Sequence, residues 1–450
     1  MSNLVFIPVE YFRREFTAKA ALATYLAAAG VPVVFGHKWY VRRSAVLNGS
    51  VGDIYLHNHA QSKNDAEDLA SIINRGVKLI GYEDEGALDF VNLKDQLTER
   101  NNLSGYSNFH FWLCWGKNER AVLSNEFPDL AIFCNIGTPR SALWGEFGTQ
   151  LWSKEILKDI RPKYGEYLLI ATSFQARANE KYMSAIKRLN NIYGSHTVTT
   201  IKNFIKNESE SEAAKLLRME ILVNEILTKS SYNIVLRPYF EKSNYIEKQI
   251  RRINPNRIFI DDRLNITPLV IGCAGLLHMG STVAIESTLL GRKSIFIKPF
   301  LEGVEVSRLP NAGVQLSSLC STPLESANDI SSILNLSKVE NFSLDFFIDS
   351  PNALFFYSEF LKLLISINPA ICAIKPKELH NISLMQRLLY YFRVRIKRSS
   401  TYRYDRLKRP KVSRRKIKQL VRIILKTFVL DPTLIKISKI DSSTFLFTRK

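Results

Sequence analysis

Three carboxylates stand side by side in the segment Glu83-Asp84-Glu85, which ends in a turn at Gly86. They follow Val77–Ile80, an apolar run that predicts a buried strand. Adjacent carboxylates repel one another, and the repulsion raises the pKa of at least one of them. A group with such a pKa can take a proton from a substrate hydroxyl or attack a substrate carbon. We therefore interpret Asp84 and Glu85 as candidate catalytic residues, and the alternative is a solvated acidic loop.

A second motif joins a short predicted strand to a predicted helix, and it reads His278-Met279-Gly280-Ser281-Thr282. Gly280 lets another group approach the backbone closely. The backbone N–H groups of residues 281–283 begin the helix without internal partners, so they predict an anion site suited to a phosphate. Glu286 lies one turn after Thr282 on the same helical face. The alternative is that Ser281 only caps the helix.

A third set of candidates follows the predicted strand Asn233–Leu236. Arg237 there can pair bidentately with a phosphate or a carboxylate. Tyr239, two residues later, can stack on a base or donate its hydroxyl to a phosphate. The alternative is a surface arginine followed by Pro238, which ends the strand.

No spacing of His, Cys and carboxylates suggests a metal ion, and no cofactor is predicted.

The elements that must position these residues alternate between apolar strands and helices of 10–15 residues. This alternation predicts parallel, doubly wound α/β sheets. It runs through residues 1–150, pauses near Trp144–Tyr164, and restarts through residues 165–370. The length of 450 residues allows two or three domains. We predict one Rossmann-like domain in each half, with ligands outside the carboxyl ends of the strands.

The formal net charge of +20 is concentrated near the C-terminus. Fifteen Lys or Arg residues and one acid lie between Arg393 and Lys426. Apolar residues recur at helical spacing there, so residues 385–450 predict a basic amphipathic arm that lies on an anionic membrane. The predicted membrane contacts are Arg414, Arg415, Lys416, Lys418 and Arg422. The alternatives are a helix that packs back on the body and nucleic-acid binding, which no nucleic-acid motif supports.

The remaining composition indicates the compartment. No apolar run is long enough to span a membrane, and the N-terminus lacks a basic region and a cleavage site. The five cysteines are odd in number and widely spaced. We expect a cytoplasmic protein at the inner face of the membrane, with no nucleic-acid partner.

The motifs together resemble the bacterial surface carbohydrate biosynthesis protein family, which is related to the retaining β-Kdo transferases of capsule and O-antigen assembly. The resemblance spans roughly residues 10–300. It rests on a series of short segments in the same order, namely Arg14-Glu15, Asp84-Glu85-Gly86, Trp115-Gly116, Gly137-Thr138-Pro139-Arg140, Asn179, Arg237-Pro238, Gly280–Glu286 and Leu290-Gly291. Relatives read Arg-Pro-His-Pro where this chain has Arg237-Pro238-Tyr239-Phe240.

The resemblance implies a GT-B-like glycosyltransferase, with two Rossmann-like domains facing a cleft. It implies an acceptor-side first domain that carries Asp84 and Glu85, and a second domain that binds the nucleotide-sugar donor. The donor phosphate would then lie on Arg237 and on residues 280–282, and Glu286 would hold the ribose. CMP-Kdo is one candidate donor, and a lipid-linked or surface polysaccharide is the expected acceptor. The alternatives are a polyol-phosphate transferase, a nucleotide-sugar epimerase and a catalytically degenerate scaffold at the membrane.

Overall fold

The chain forms two compact units, one of Met1–Leu151 with Ser343–Lys450 and one of Trp152–Phe342. Their structure comes from a computed structural model. It describes residues 3–58, 66–84, 106–130, 132–172, 219–238, 245–263, 265–279, 281–297, 322–324, 330, 352–372, 379, 385–386, 413–440 and 444–449.

The N-terminal part of the first unit alternates strands with helices, as its apolar runs predict. Its elements are β1 (Val5–Val9), α1 (Phe12–Ala28), β2 (Val33–His37), α2 (Lys38–Asn48), β3 (Ile54–Asn58), α3 (Ala66–Ile73), β4 (Lys78–Tyr82), β5 (Phe111–Leu113), α4 (Lys117–Glu126), β6 (Phe133–Cys134), a 3-10 turn (Ser141–Leu143) and α5 (Glu146–Glu155), whose last residues belong to the second unit.

The strands β1 to β6 are parallel and lie in the order β2-β1-β3-β4-β5-β6. The chain moves outward from β1 to β2 and then crosses back to β3 on the other side of β1. The loops after β1 and β3 therefore leave in opposite directions, which makes their carboxyl ends a topological switch point. Open α/β sheets bind ligands at such carboxyl ends of their strands.

The second unit repeats the arrangement. Its elements are a π-helical turn (Ile156–Ile160), α6 (Arg161–Tyr164), β7 (Tyr167–Ala171), β8 (Asn233–Arg237), α7 (Tyr245–Arg251), β9 (Ile258–Ile260), α8 (Thr267–Gly272), β10 (Gly275–His278), α9 (Val283–Leu289), β11 (Lys293–Ile297) and β12 (Thr322–Leu324). The sheet is parallel with the order β12-β11-β10-β7-β8-β9, so its switch point lies between β7 and β10. The prediction of two doubly wound α/β sheets is confirmed.

The C-terminal part of the chain corrects the predicted domain boundaries. Helix α10 (Ala353–Ile367), placed in the second domain by the prediction, belongs to the first unit and packs on α1. Helix α11 (Arg414–Thr427) packs on α1 as well. Strands β13 (Ile435–Lys439) and β14 (Thr444–Arg449) form an antiparallel pair, and β14 adds to β2. Residues 413–449 are therefore a part of the first unit rather than a separate arm.

The burial of α11 explains its amphipathic pattern without a membrane. Its apolar stripe is at most 3% exposed and consists of Ile417, Val421, Ile424 and Leu425. The stripe is covered by protein and is not available to a membrane, whereas the predicted contact of the basic residues with a membrane stays a prediction. In the described part of the chain no helix has the length and apolarity that crossing a bilayer requires.

Candidate functional site

Four buried polar side chains meet at the switch point of the first sheet. Glu15 and Lys19 lie one turn apart on α1, Asn58 ends β3, and Asp84 follows β4. Each of them is at most 4% exposed. Glu15 and Lys19 lie at this switch point because α1 begins directly after β1, at the carboxyl end of that strand. We refer to Glu15, Lys19, Asn58 and Asp84 as the acid–lysine cluster.

Lys19 holds the cluster together. Its Nζ lies 2.6 Å from Glu15 Oε2, 2.8 Å from Asn58 Oδ1 and 2.8 Å from the carbonyl oxygen of Pro8. An ammonium group has three donors, and each of them has a partner here. The amide of Asn58 donates to Asp84 Oδ2 at 2.9 Å and to Glu15 Oε2 at 3.1 Å. The cluster is thus a closed network rather than a row of independent charges.

Glu15 is the ionised member of the pair of carboxyls. Burial by itself would raise its pKa, but Lys19 and Arg14 outweigh burial and hold the pKa at about 2. Its oxygens also accept the backbone N–H groups of Glu10 and Tyr11, both at 3.0 Å, at the start of α1. The helix N-terminus favours a negative charge at this place.

Asp84 is the member that binds a proton near neutral pH. Burial raises its pKa, and the neighbouring carboxylate of Glu15 raises it further, to about 7. The amide of Asn58 donates to both carboxyls and so bridges Asp84 and Glu15. A carboxyl with this pKa is suited to general acid–base catalysis. The predicted role of Asp84 stays a prediction, and Glu85, the other predicted catalytic residue, lies outside the described residues.

Neighbouring motif residues support the loop that carries Asp84. Trp115 Nε1 donates to the backbone carbonyl of Glu83 at 2.5 Å, and the ring of Trp115 lies 5.4 Å from that of Trp144. The guanidinium group of Arg140 stacks on Trp144 at 5.0 Å. Thr138 donates its backbone N–H to Ser141 Oγ at 2.9 Å, which closes the turn before Arg140. These residues fix the position of the carboxyl end of β4.

In the second unit, Arg237 and His278 lie at the carboxyl ends of β8 and β10. Both pair with Ala171, which ends the central strand β7 between them. Strands lie ~4.8 Å apart, so the two Cα atoms are about 10 Å apart. Arg237 is 7% exposed, and its Nη1 donates to the carbonyl of Asp261 at 3.1 Å. The predicted pairing of Arg237 with a phosphate stays a prediction.

His278 is a buried, neutral imidazole. Burial lowers its pKa to about 3, and its ring stacks on Phe296 with the centroids 5.7 Å apart. Its Nδ1 accepts the backbone N–H of Ser281 at 3.4 Å. His278 therefore supports the turn after β10 and carries no charge at neutral pH.

The turn before α9 corrects the predicted set of open N–H groups. The N–H of Ser281 is directed to His278, and the N–H of Val283 donates to Ser281 Oγ at 3.3 Å. Two of the three predicted donors thus have partners within the turn, because a polar side chain lies within reach of each. Both contacts are long and weak. Thr282 is the N-cap of α9, and Gly280 and Tyr239 lie outside the described residues.

Glu286 is 1% exposed and packs inside the second unit. It accepts a hydrogen bond from the hydroxyl of Thr267 on α8. Thr267 in turn donates its backbone N–H to Asn265 Oδ1 at 2.9 Å. The predicted contact of Glu286 with a ribose stays a prediction, and in this structure the carboxylate holds α8 and α9 together.

The predicted membrane contacts lie on the exposed side of α11. The side chains of Arg414, Arg415, Lys416, Lys418 and Arg422 are all exposed. Arg414 donates through Nη2 to the backbone carbonyl of Ile437 at 2.8 Å, so it also joins α11 to β13.

Lys19 and Asn58 were not among the residues singled out from the sequence. One signal was available for Lys19, because it is a charged residue inside an Ala-rich apolar helix, one turn after Glu15. Asn58 had no such signal, since a polar residue often ends a strand. Among the described residues, no group of three or more His, Cys, Asp or Glu side chains could hold a metal ion.

No family profile matches the chain, and no curated protein is significantly similar to it in sequence. Solved structures share parts of its architecture. The wall teichoic acid polymerase TagF is 13% identical, with 82% of this chain and 89% of that chain covered and a TM-score of 0.46. The MnaA–UDP co-structure from S. aureus is 12% identical, with 84% and 100% covered and a TM-score of 0.44.

The UDP-N-acetylglucosamine 2-epimerase from Rickettsia bellii is 10% identical, with 83% of this chain and 99% of that chain covered and a TM-score of 0.42. All three TM-scores lie below 0.5, so the assignment of the fold rests on the strand orders of the two sheets. A shared fold of this kind hosts many activities, so it assigns no function to the chain.

Proposed function

We propose that the chain is a glycosyltransferase that moves a sugar from a nucleotide-activated donor to a hydroxyl of a lipid-linked or surface polysaccharide. The observation that carries this proposal is the acid–lysine cluster. Two motif carboxyls that are far apart in sequence, Glu15 and Asp84, meet at the switch point of a parallel sheet, and one of them has a pKa near neutrality.

Asp84 would act as the base. The O–H bond of the acceptor breaks and its proton passes to Asp84, while the oxygen bonds to the anomeric carbon. The bond from that carbon to the donor phosphate breaks, and the nucleotide leaves with the electron pair. Glu15 and Lys19 would position Asp84 and keep its pKa near the working pH. Glu85 stays a second candidate for base or nucleophile.

The second unit would bind the donor. Arg237 would pair with a phosphate, and in the turn before α9 the backbone N–H of Thr282 would bind it. The neutral His278 beneath this turn supports the assignment, because it adds no charge that varies with pH. Glu286 would bind the ribose only if its hydrogen bond from Thr267 is replaced by one from a ribose hydroxyl. CMP-Kdo is the first donor to assay.

The first test is thermal unfolding of the purified protein with CMP, CDP, UDP and GDP. A nucleotide at 100 times its Kd adds ~2.7 kcal/mol to the native state, which is a resolvable rise in Tm. Preference for CMP supports transfer of Kdo, and preference for UDP or GDP supports another sugar. Preference for CDP favours polyol-phosphate transfer. No rise with any nucleotide contradicts the proposal and leaves the scaffold alternative.

The second test separates catalysis from binding. Asp84→Asn keeps the shape and the bond from Asn58 but removes the base, so transfer falls by about a hundredfold or more while the nucleotide-induced rise in Tm stays. Glu119→Gln is the matched control. Glu119 is buried in the same unit, and burial raises its pKa to about 7, but it bonds to the N–H of Trp115 at 2.7 Å outside the cluster. Equal transfer rates for the two variants would remove Asp84 from the mechanism.

A further inference from the structure

The exposed side of α11 is a stripe of cations. Arg415, Lys418, Arg422 and Lys426 follow one another at intervals of three or four residues, and all four are exposed. The helix contains no Asp or Glu. Its opposite side is buried in the first unit, so the stripe faces solvent on a helix whose position is fixed.

An apolar side chain projects at the end of this stripe. Val429 is 91% exposed and has a φ of 58°, a backbone conformation that β-branched residues rarely adopt. The N–H of Leu430 bonds to the carbonyl of Leu425 at 2.8 Å, and the N–H of Val429 bonds to that of Lys426 at 3.0 Å. This is the helix ending that ordinarily has glycine at the position of Val429. The valine here is strained, and little of its side chain is covered by the described residues.

One exposed apolar residue of α11 lies next to the stripe. Ile423 follows Arg422 and is 41% exposed. We call the four cations together with Ile423 and Val429 the α11 face.

We propose that the α11 face docks on a membrane surface that contains anionic phospholipid. The cations would lie among the headgroups, and the apolar tips would enter the boundary between headgroups and acyl chains. In this mode the apolar stripe of α11 stays in the protein core, and only the exposed side contacts the membrane. A nucleic acid would also attract the cations but offers little to the exposed side chains of Ile423 and Val429. The proposal does not depend on the proposed transferase activity.

The test is sedimentation of the full chain with vesicles of phosphatidylglycerol and phosphatidylcholine, and with vesicles of phosphatidylcholine alone. We expect binding to the anionic vesicles that weakens as salt rises, and little binding to the neutral ones. Arg422→Glu combined with Lys426→Glu should weaken binding by about tenfold or more. Lys154→Glu with Lys158→Glu is the matched control, since both lysines are exposed in the second unit and the change in charge is the same.

Val429→Gly separates docking from folding. Glycine relieves the strained backbone, so the Tm should rise, whereas loss of the apolar tip should weaken vesicle binding. A variant that merely misfolded could not show both effects. Equal vesicle binding by the α11 and control double variants would overturn the proposal, as would binding to a DNA duplex but not to anionic vesicles. Point variants are preferred to truncation because β13 and β14 follow α11 in the same unit.

Discussion

The two switch points of this protein are built from the same sheet geometry but from opposite electrostatics. The first collects two carboxyls and an ammonium group at one buried point. The second has an uncharged imidazole, two hydroxyl residues and one arginine that donates to a backbone carbonyl. Under the proposed function, the first would exchange a proton and the second would contact an anion. The difference teaches that similar parallel sheets can place very different chemical groups at the ends of their strands.

The largest effect that would test this contrast is expected at Lys19. Lys19→Met leaves the carboxylate of Glu15 buried without its cation, and breaking a buried pair in this way costs about 3–5 kcal/mol of unfolding free energy. Lys362→Met is the control, because its ion pair with Glu359 is exposed and contributes about 0–1 kcal/mol. Urea denaturation of both variants measures the difference. A loss below that of the control would mean that the cluster is not a coupled network.

A smaller loss is expected from Thr267→Val in the second unit. The change removes the hydroxyl that donates to Glu286, and a buried carboxylate that loses a charged hydrogen bond costs about 1.5–3 kcal/mol. The same denaturation experiment measures it. If the nucleotide raises the unfolding free energy of this variant more than that of the wild type, Glu286 forms a hydrogen bond with the ligand. An equal rise would mean that Glu286 only holds α8 against α9.

The pH dependence of stability should report Asp84. Its folded pKa of about 7 is raised above the unfolded value, so the folded state binds the extra proton. The stability that this proton confers is complete below the unfolded pKa and is lost as the pH rises through about 7. Glu119 acts with the same sign. We therefore expect Asp84→Asn and Glu119→Gln each to flatten the fall of Tm between about pH 4 and 7, and an unchanged slope in Asp84→Asn would contradict the assignment.

The smallest effect is expected at His278. Because burial lowers its pKa to about 3, the imidazole stays neutral at every pH at which the protein would be assayed. His278→Asn should therefore leave the pH dependence of nucleotide affinity unchanged between about pH 5 and 8, where an ordinary histidine titrates. Isothermal titration at several pH values measures it. A rise in affinity on acidification that disappears in His278→Asn would show that the second switch point also uses a titrating group.

Local patterns predicted much of the fold correctly. The strand predicted over Asn233–Leu236 is β8 to within one residue, and the run Val77–Ile80 overlaps β4, since a parallel strand buried on both faces needs a continuous apolar stretch. The pairing of β14 with β2 was missed, because nothing in the sequence of a short strand indicates which distant strand it joins.

What the sequence by itself determined was the class of each element and the strand ends at which polar residues would gather. It identified Asp84, Arg237 and His278 because such residues directly follow apolar strands. Only the tertiary structure decided which groups meet. The order of strands in the sheet brings Asp84 close to Glu15 and Lys19. The apolar stripe of α11 is buried because the helix packs on α1. Burial and proximity are properties of the folded chain, and they set the charge of a side chain more than its type does.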